Sequence, residues 1–407
     1  MKYTFNTIFY EATRRCNLSC PLCMSSSNVP EVVRKSIKRE LSTEEIEERV
    51  LGPAHEIGIQ VITWSGGEFL LRKDAVELVR RATRHGYQSS ICSNGQNVTK
   101  ELLQELQQAS GGTLVIAVGI NSIENENPWT RDCDCGVALR TIALCEAAGV
   151  KRHVVVNVGR HNLKTIARTL QFLEEKGIPY NRSPFTARGS GCGYFEQLSV
   201  SAAEMAGILH PEMRKHANGY ISYTPFFLSP ELHARFSKGH KNVTVPQSPS
   251  IGCWVGTWLG LTAEGDVSPC GILMDVVNCG NVREKTFQQI IDGSPVFQDL
   301  LDRNKLRGKC GRCRYKFTCG GCRAMAYFKH GDLLAEDPQC FFEPVDETTV
   351  CEHEAETNKI FKRYAFMVRH AGRNMMKEAP AHSAGRKDGQ PAATLPDSAG
   401  SARLEER

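Results

Sequence analysis

The chain has 407 residues, of which 41% are hydrophobic and 23% are charged, and its net charge at pH 7 is +5. This composition is typical of a globular protein long enough for two domains and a sizeable core. The weak charge, without a run of Lys or Arg, gives no indication of nucleic-acid binding, and no apolar run approaches the length of a membrane span. We therefore expect neither nucleic acid nor a membrane as a partner.

Cysteine is unusually frequent, with 17 residues in the chain. The first 15 residues, "MKYTFNTIFYEATRR", lack the apolar core of a signal peptide. Clustered cysteines without a secretion signal indicate metal binding in a reducing compartment rather than disulfides, so we expect a cytoplasmic protein. Cys92 and Cys145 stand apart from the clusters, in strand-like and helix-like segments, and buried structural thiols are the simpler interpretation for them.

Short apolar runs alternate with amphipathic segments between residues 5 and 186. The apolar runs predict strands at 7–13, 59–65, 87–93, 113–119, 151–157 and 178–185. The amphipathic segments predict helices at 42–57, 73–85, 99–109, 136–148 and 162–176. A capping-box pattern from Ser42 to Glu45 opens the first helix. A glycine closes four of the helices: Gly58, Gly86, Gly149 and Gly177.

Six strands that alternate with helices predict a parallel sheet with right-handed crossovers. Six units are too few for a closed eight-fold barrel, so an α/β fold with a partial (β/α)6 TIM-like barrel fits better than a doubly wound sheet, although periodicity alone does not separate the two. In both folds the loops after the strands form the active face. The first such loop, "RRCNLSCPLC" (14–23), is therefore expected on that face.

The composition changes along the rest of the chain and divides it into five parts. Residues 201–216 look helical, "TVPQSPS" (244–250) reads as a linker, and the chain then becomes cysteine-rich and loop-rich. The last residues are rich in Pro, Ala, Gly and Ser and are predicted to be disordered. The predicted parts are a barrel at 1–190, a connecting segment at 191–250, a small cysteine-rich domain with little regular structure at 251–346, a terminal helix at 347–377 and a disordered tail at 378–407.

The loop after the first strand carries three closely spaced cysteines, Cys16, Cys20 and Cys23. A structural zinc site needs four protein ligands, and no fourth Cys or His lies nearby. A [4Fe–4S] cluster held by three thiolates leaves one iron open for a ligand or substrate. We therefore favour a catalytic iron–sulfur cluster over zinc at this loop.

Polar and glycine-rich motifs follow the next strands. "GGE" follows strand two, "SNG" follows strand three, and Ser122 follows strand four. Two glycines let the backbone approach a ligand closely, and the carboxylate of Glu68 suits an α-amino group, although a Gly-Gly pair is more often only a turn. Asn157 ends strand five, where Asn is more often a turn former.

Taken together, C-x3-C-x2-C, GGE and SNG on successive strands resemble the radical S-adenosylmethionine (SAM) superfamily over roughly residues 1–190. The resemblance implies that the open iron binds SAM and that the reduced cluster cleaves it to methionine and a 5′-deoxyadenosyl radical, which takes hydrogen from a substrate. The family usually has an aromatic residue before the third cysteine, where this chain has Leu22. The implied contacts to SAM are Gly66, Gly67, Glu68, Ser93, Asn94, Ser122 and Asn157.

A second group of cysteines lies between residues 253 and 340, with paired C-x2-C spacings. Such pairs are also typical of zinc ribbons, and spacing alone does not decide between zinc and Fe–S. After a radical SAM barrel, however, the pattern resembles the SPASM extension, which carries auxiliary [4Fe–4S] clusters. The resemblance implies one cluster held by Cys310, Cys313, Cys319 and Cys340 and another held by Cys253, Cys270 and Cys322. A fourth ligand to the latter would be Cys279 or Cys351, or the position would be open to substrate, so one or two auxiliary clusters are expected.

The stretch "CGGCRAMAYFKHGDLLAEDPQC" resembles the branch of this family that contains the heme d1 and alternative heme biosynthesis proteins and the mycofactocin maturase. The resemblance implies a tetrapyrrole or related cofactor precursor as substrate, with side-chain removal or oxidative decarboxylation as the reaction. One alternative is a maturase that crosslinks, decarboxylates or epimerises a ribosomally made peptide. A further alternative is a zinc-ribbon interaction protein. An enzyme of this kind needs a reducing electron donor such as ferredoxin or flavodoxin.

Three features bear on the substrate. Only 15 residues precede Cys16, so we expect no fused leader-peptide-binding domain, which favours a small molecule. A tetrapyrrole needs cations for its carboxylates, and Arg131, Arg182 and Arg188 lie near predicted strand ends, although solvated surface arginines are more common. "SIGCWVGTW" is aromatic enough to line a pocket for a flat ligand, although core packing is more common.

No side chain is assigned as acid or base, because the cofactor carries the chemistry.

Overall fold

The computed structural model describes residues 5–124, 130–216, 224–236 and 252–363. An eight-stranded sheet organises them, in the order β6-β5-β4-β3-β2-β1-β7-β8. Strands β1 to β6 and β7 pair in parallel, and β8 pairs antiparallel with β7. The strands are β1 (Thr7–Thr13), β2 (Val61–Gly66), β3 (Gln88–Ser93), β4 (Val115–Gly119), β5 (Lys151–Val158), β6 (Tyr180–Pro184), β7 (Trp258–Leu261) and β8 (Val267–Ser268).

The first six strands confirm the partial barrel. Each begins within two residues of its predicted start, because apolar side chains mark the strands so regularly. In β5, Val154, Val156 and Val158 are buried, whereas the alternate residues His153, Val155 and Asn157 are half-buried. Since successive side chains of a strand point to opposite faces, one face of the sheet packs on helices and the other faces the barrel interior.

Helices connect the strands and follow them. The helices are α1 (Pro30–Ile37), α2 (Thr43–Glu45), α3 (Ala75–Arg84), α4 (Lys100–Ala109), α5 (Cys135–Ala147), α6 (Ile166–Glu175), α7 (Phe195–Leu198), α8 (Ala202–Glu204), α9 (His210–Lys215), α10 (Pro230–Phe236), α11 (Phe287–Gly293), α12 (Pro295–Leu301), α13 (Gly308–Arg312) and α14 (Arg323–His330). Single π-helical turns span Ile46–Leu51 and Met205–Leu209, and 3₁₀ turns span Ala54–Ile57, Phe69–Leu71, Gly189–Tyr194 and Arg303–Lys305. The four glycines predicted to close helices all have positive φ, as that position requires.

The predicted helix 42–57 is three short pieces. The capping box at its start is confirmed, because the Ser42 side chain accepts from the Glu45 amide and the Glu45 carboxylate accepts from the Ser42 amide. The chain then widens into the π-helical turn, with a hydrogen bond from the Gly52 amide to the Glu47 carbonyl. Pro53 has no N–H to continue a helix, so a separate 3₁₀ turn follows it.

Two strands of the sheet were not predicted. β7 is only four residues long and pairs in parallel with β1, from Thr7 opposite Trp258 to Tyr10 opposite Leu261. The cysteine-rich part of the chain therefore contributes two short strands to the barrel sheet. The predicted boundaries of the five parts remain predictions.

The carboxyl-terminal prediction falls partly outside the described residues. Residues 354–363 are helical, which starts later than the predicted helix at 347–377. The remainder of that helix and the predicted tail at 378–407 lie outside the described residues. In the part of the chain that the structure describes, no helix has the length and apolar character that crossing a membrane requires.

Candidate active site

An open cavity of about 310 Å³ lies inside the barrel and reaches the loops after its strands. This is the face that the sequence predicted to be active. Its wall contains the glycine pair after β2, polar ends of β3 to β5, two tryptophans and four cysteines. Three of the cysteines belong to the first loop, and the fourth is Cys92 of β3, which is thus open to the cavity although a buried structural thiol was the simpler interpretation. The size of the cavity lies at the lower end of the range for small-molecule sites. The predicted site residues that line it are Cys16, Cys20, Cys23, Gly66, Gly67, Ser93, Asn94 and Asn157.

The three cysteines of the first loop present their sulfur atoms to backbone N–H groups. Cys16 Sγ accepts from the Leu18 amide at 3.4 Å. Cys20 Sγ accepts from the Asp132 amide at 3.4 Å, and Cys23 Sγ accepts from the Ser27 amide at 3.3 Å. Burial raises the pKa of the Cys16 and Cys20 thiols, whereas these amides favour thiolates. Hydrogen bonds to sulfur of this kind surround protein-bound iron–sulfur clusters.

The glycine pair after β2 packs directly against the start of the cysteine loop. Gly66 has a φ of +125°, and a Cβ there would overlap the Thr13 carbonyl oxygen. A Cβ on Gly67 would overlap the Arg15 carbonyl oxygen. The Gly67 amide donates to the Thr13 carbonyl at 2.7 Å. Only glycine fits this approach, which fixes the loop relative to the three cysteines.

Glu68 joins the loops after β2 and β3. Its carboxylate, which is only 1% exposed, accepts hydrogen bonds from the amides of Leu70 at 3.2 Å and Asn94 at 2.7 Å and from the Ser93 hydroxyl at 3.3 Å. Burial raises the pKa of the Glu68 carboxyl, and the two amides oppose that shift. Glu68 itself is not among the residues that line the cavity. A carboxylate accepts about four hydrogen bonds, so Glu68 retains capacity for one more donor.

The remaining SAM-contact predictions differ in their placement. Asn157 lines the cavity while its side-chain amide donates to the Pro184 carbonyl at 3.1 Å. Ser122 lies behind the wall, where its hydroxyl accepts from the Glu124 amide at 3.0 Å. Asn121, the residue before it, lines the cavity instead. Leu22, which replaces the family's aromatic residue, lines the cavity and packs against an apolar group that includes Phe185.

Four further side chains in the cavity wall bear on ligand binding. The Arg131 guanidinium lies against Gly119, where a Cβ would overlap it. Burial raises the pKa of the Cys20 thiol, and the positive charge of Arg131 opposes that shift. Trp254 and Trp258 stack on each other, with ring centroids 4.6 Å apart and an interplanar angle of 18°. His153 was not predicted. The alternation of β5 indicates which way it points, but only the structure shows a cavity there.

Arg182 and Arg188 are neither solvated surface residues nor part of the cavity wall, because both are 0% exposed. Arg188 pairs with Glu11 of β1 and, at 2.7 Å, with Asp275. Arg14 pairs with Asp275 and, at 3.4 Å, with Glu264. These five residues form what we call the ion cluster, in which all but Asp275 are buried: Glu11, Arg14, Arg188, Glu264 and Asp275. It joins the loops of the barrel to the cysteine-rich part of the chain.

The cysteines of the second group line two smaller cavities. One cavity is lined by Cys310, Cys313, Cys319 and Cys340. The other is lined by Cys253, Cys270 and Cys322, together with Trp254 and Ile272, which also line the large cavity. These are the two groupings that the SPASM resemblance implied. Neither Cys279 nor Cys351 is among the described residues that line the second cavity.

Two buried charged residues lie between the smaller cavities. The Arg323 guanidinium donates to Cys310 Sγ at 3.6 Å, and Arg323 also lines the cavity of Cys253. The Asp337 carboxylate accepts from the Cys322 amide at 2.7 Å. Both charged side chains are 0% exposed. Through these hydrogen bonds they link the two sets of cysteines inside the protein.

The donor sets fit iron–sulfur clusters. Four thiols line the large cavity, namely the three of the first loop and Cys92 of β3, and four line one of the small ones. Amide groups donate to several of the sulfurs. Thiolates are the usual ligands of [4Fe–4S] clusters. Among the residues described, no three His, Cys, Asp or Glu side chains are grouped as ligands of a single metal ion.

Comparison with known proteins places the chain in a family. Residues 10–179 match the Radical SAM superfamily, and residues 253–314 match SPASM, an iron-sulfur cluster-binding domain. An AdoMet-dependent heme synthase of Methanosarcina barkeri is 32% identical over 355 residues, which cover 83% of this chain and 96% of the relative. A PqqA peptide cyclase of Granulibacter bethesdensis is 25% identical over 371 residues, covering 87% of this chain and 92% of the relative.

A solved structure shows the same fold at low identity. The structure described as native anSMEcpe with bound AdoMet and Cp18Cys peptide superposes with a TM-score of 0.59 at 14% identity, covering 92% of this chain and 99% of that one. The chain thus belongs to the radical SAM superfamily and has a SPASM region. It is a radical SAM enzyme, with SAM and [4Fe–4S] clusters as its cofactors.

Proposed function

We propose that this enzyme acts on a tetrapyrrole or a related cofactor precursor, from which it removes or oxidatively decarboxylates a side chain. The 32% identity to a heme synthase over 96% of that protein carries the proposal. The cavity supports it, since a tetrapyrrole is flat and bears carboxylates. The stacked Trp254 and Trp258 offer an aromatic surface, and Arg131 offers a guanidinium for a carboxylate.

We further propose that Cys16, Cys20 and Cys23 hold the catalytic cluster. The bound cluster and SAM supply a radical that takes a hydrogen atom from the substrate. The glycine pair and Glu68 then receive the amino group of SAM, and Leu22 packs against its adenine. Ser93, Asn94 and Asn157 contact the rest of SAM, and Ser122 positions the loop after β4. Auxiliary clusters are assigned to Cys310, Cys313, Cys319 and Cys340, and to Cys253, Cys270 and Cys322.

The test of the substrate is SAM cleavage with and without a tetrapyrrole. Anaerobically reconstituted protein is reduced with dithionite or with flavodoxin, one of the proposed electron donors, and 5′-deoxyadenosine is quantified by chromatography. Iron coproporphyrin III is expected to raise the rate several-fold over SAM alone, because a bound substrate supplies the hydrogen atom. Slow cleavage that the tetrapyrrole leaves unchanged would contradict the proposal.

A second candidate function is the maturation of a ribosomally made peptide. It is favoured by the 25% identity to a peptide cyclase and by the fold shared with a peptide-bound structure. This candidate predicts stimulation of SAM cleavage by a precursor peptide and none by tetrapyrroles. The same assay with both kinds of substrate therefore separates the two functions.

Replacing Cys310 with Ala is expected to lose about 4 of about 12 irons per chain, because one four-iron cluster loses a ligand. Uncoupled SAM cleavage is expected to remain while product formation is lost, since Cys310 lies outside the large cavity. Iron content, 5′-deoxyadenosine and product are the three measurements. Cys279→Ala is the matched control, because Cys279 lines neither small cavity. Full iron content in Cys310→Ala would contradict the assignment.

A further inference from the structure

His153 occupies a distinctive place in the barrel interior. It is the third residue of β5, and its side chain points into the large cavity together with those of Val155 and Asn157. The neighbour in register on β4 is Ala117, whose small side chain leaves space beside the imidazole. The β6 pairing begins one residue later, at Val154, so no β6 residue stands opposite His153.

The imidazole of His153 has no hydrogen-bond partner among the residues that the structure describes. Burial alone lowers the pKa of His153 to about 4, so the ring is neutral and one nitrogen keeps a free lone pair. A purely structural histidine is expected to be packed away from any cavity. His210 is such a residue, since it lies among aromatic rings, with Phe341 at 5.0 Å and Phe227 at 5.9 Å between centroids.

The surroundings of His153 suit a flat ligand with polar edges. The wall of the same cavity carries Ser90, Asn181 and Ser183 together with the tryptophan pair. Neutral imidazole is a common ligand of haem iron. An unpaired imidazole nitrogen that faces such a cavity has its lone pair available to a bound ligand.

We propose that His153 is an axial ligand to the iron of a tetrapyrrole substrate, through its unprotonated imidazole nitrogen. The inference rests on the proposed function and adds to it that the substrate carries iron. A water molecule on the substrate's iron is replaced by the imidazole, with no change in oxidation state. His153 is then a specificity residue, because it distinguishes the iron form of a tetrapyrrole from the metal-free form.

The test is the electron paramagnetic resonance of ferric coproporphyrin III bound to the oxidised holoenzyme. Oxidised [4Fe–4S] clusters give no such signal, so the spectrum reports the tetrapyrrole iron alone. The wild-type protein is expected to give an imidazole-ligated signal. His153→Ala is expected to lose it, and His153→Gly is expected to regain it when free imidazole is added. His55→Ala, which removes an exposed histidine outside the large cavity, is expected to keep the wild-type signal.

Affinity measurements with the metal-free tetrapyrrole separate the two levels of the proposal. The wild-type protein is expected to bind iron coproporphyrin III more tightly than metal-free coproporphyrin III, and His153→Ala is expected to bind both equally. If the wild-type protein and His153→Ala bind the iron form equally and give the same spectrum, the axial-ligand inference is wrong and the tetrapyrrole function stands. If neither form binds or stimulates SAM cleavage, the tetrapyrrole function is wrong and the inference falls with it. Iron content and uncoupled SAM cleavage show that each variant is folded.

Discussion

Replacing Arg188 with Met is expected to lower the free energy of unfolding by about 3–5 kcal/mol. The substitution removes the guanidinium that neutralises Glu11, a carboxylate that is 1% exposed, and leaves that charge buried. It also removes one of the two arginines that hold Asp275. A lower midpoint in urea denaturation, followed by circular dichroism, is the measurement.

Two further variants test whether buried charge is the cause. Arg188→Met combined with Glu11→Gln is expected to recover part of the loss, because no uncompensated charge then remains inside the protein. Arg160 pairs with Glu204 at a more exposed position, so Arg160→Met is expected to cost about 1 kcal/mol or less. Equal losses in Arg188→Met and Arg160→Met would contradict the argument.

Replacing Cys16 with Ala is expected to abolish the formation of 5′-deoxyadenosine. The first loop supplies three of the four thiols that line the large cavity, and the fourth is Cys92 of β3, so the loss of Cys16 leaves the loop with two ligands for the catalytic cluster. Iron content is expected to fall by about 4 per chain. Both quantities are measured on protein reconstituted without oxygen and reduced in the same way as the wild type.

Cys145→Ala provides the control for Cys16→Ala. Cys145 is fully buried on α5 and lines none of the three cavities described. Its replacement is expected to leave iron content and SAM cleavage unchanged. Persistent formation of 5′-deoxyadenosine after all three cysteines of the first loop are replaced would show that the catalytic cluster lies elsewhere.

Much of the barrel could be predicted because its signals are local. Strands β1, β2, β4 and β5 each contain an apolar run of their own, and glycines such as Gly58 and Gly86 end helices through their own backbone preference. β7 could not be predicted in this way. Its four residues are stabilised by pairing with β1, which stands at the opposite end of the described chain, and no local pattern records that partner.

The site was predictable to a similar degree. The three cysteines and the glycine pair could be predicted from their spacing in the sequence. The grouping of the later cysteines was predicted from family resemblance and not from the residues alone. The use of Arg188 was not predictable, because an arginine near a strand end looks the same whether it binds a ligand or a buried carboxylate. The place of His153 in the site was not predictable either. It depends on whether the barrel interior is filled or open, and that is determined by all the strands together.

The position of β7 in the sequence also determines when β1 becomes fully paired during synthesis. The ribosome releases β1 first, and its neighbour β2 follows closely, but the other edge of β1 finds its partner only when Trp258–Leu261 emerges. Throughout that interval the strand that carries the cysteine loop has unpaired N–H and C=O groups, which invite pairing with other chains. The newborn protein is thus most vulnerable to aggregation before residues 258–261 are made, and a chain cut after β6 keeps that open edge permanently.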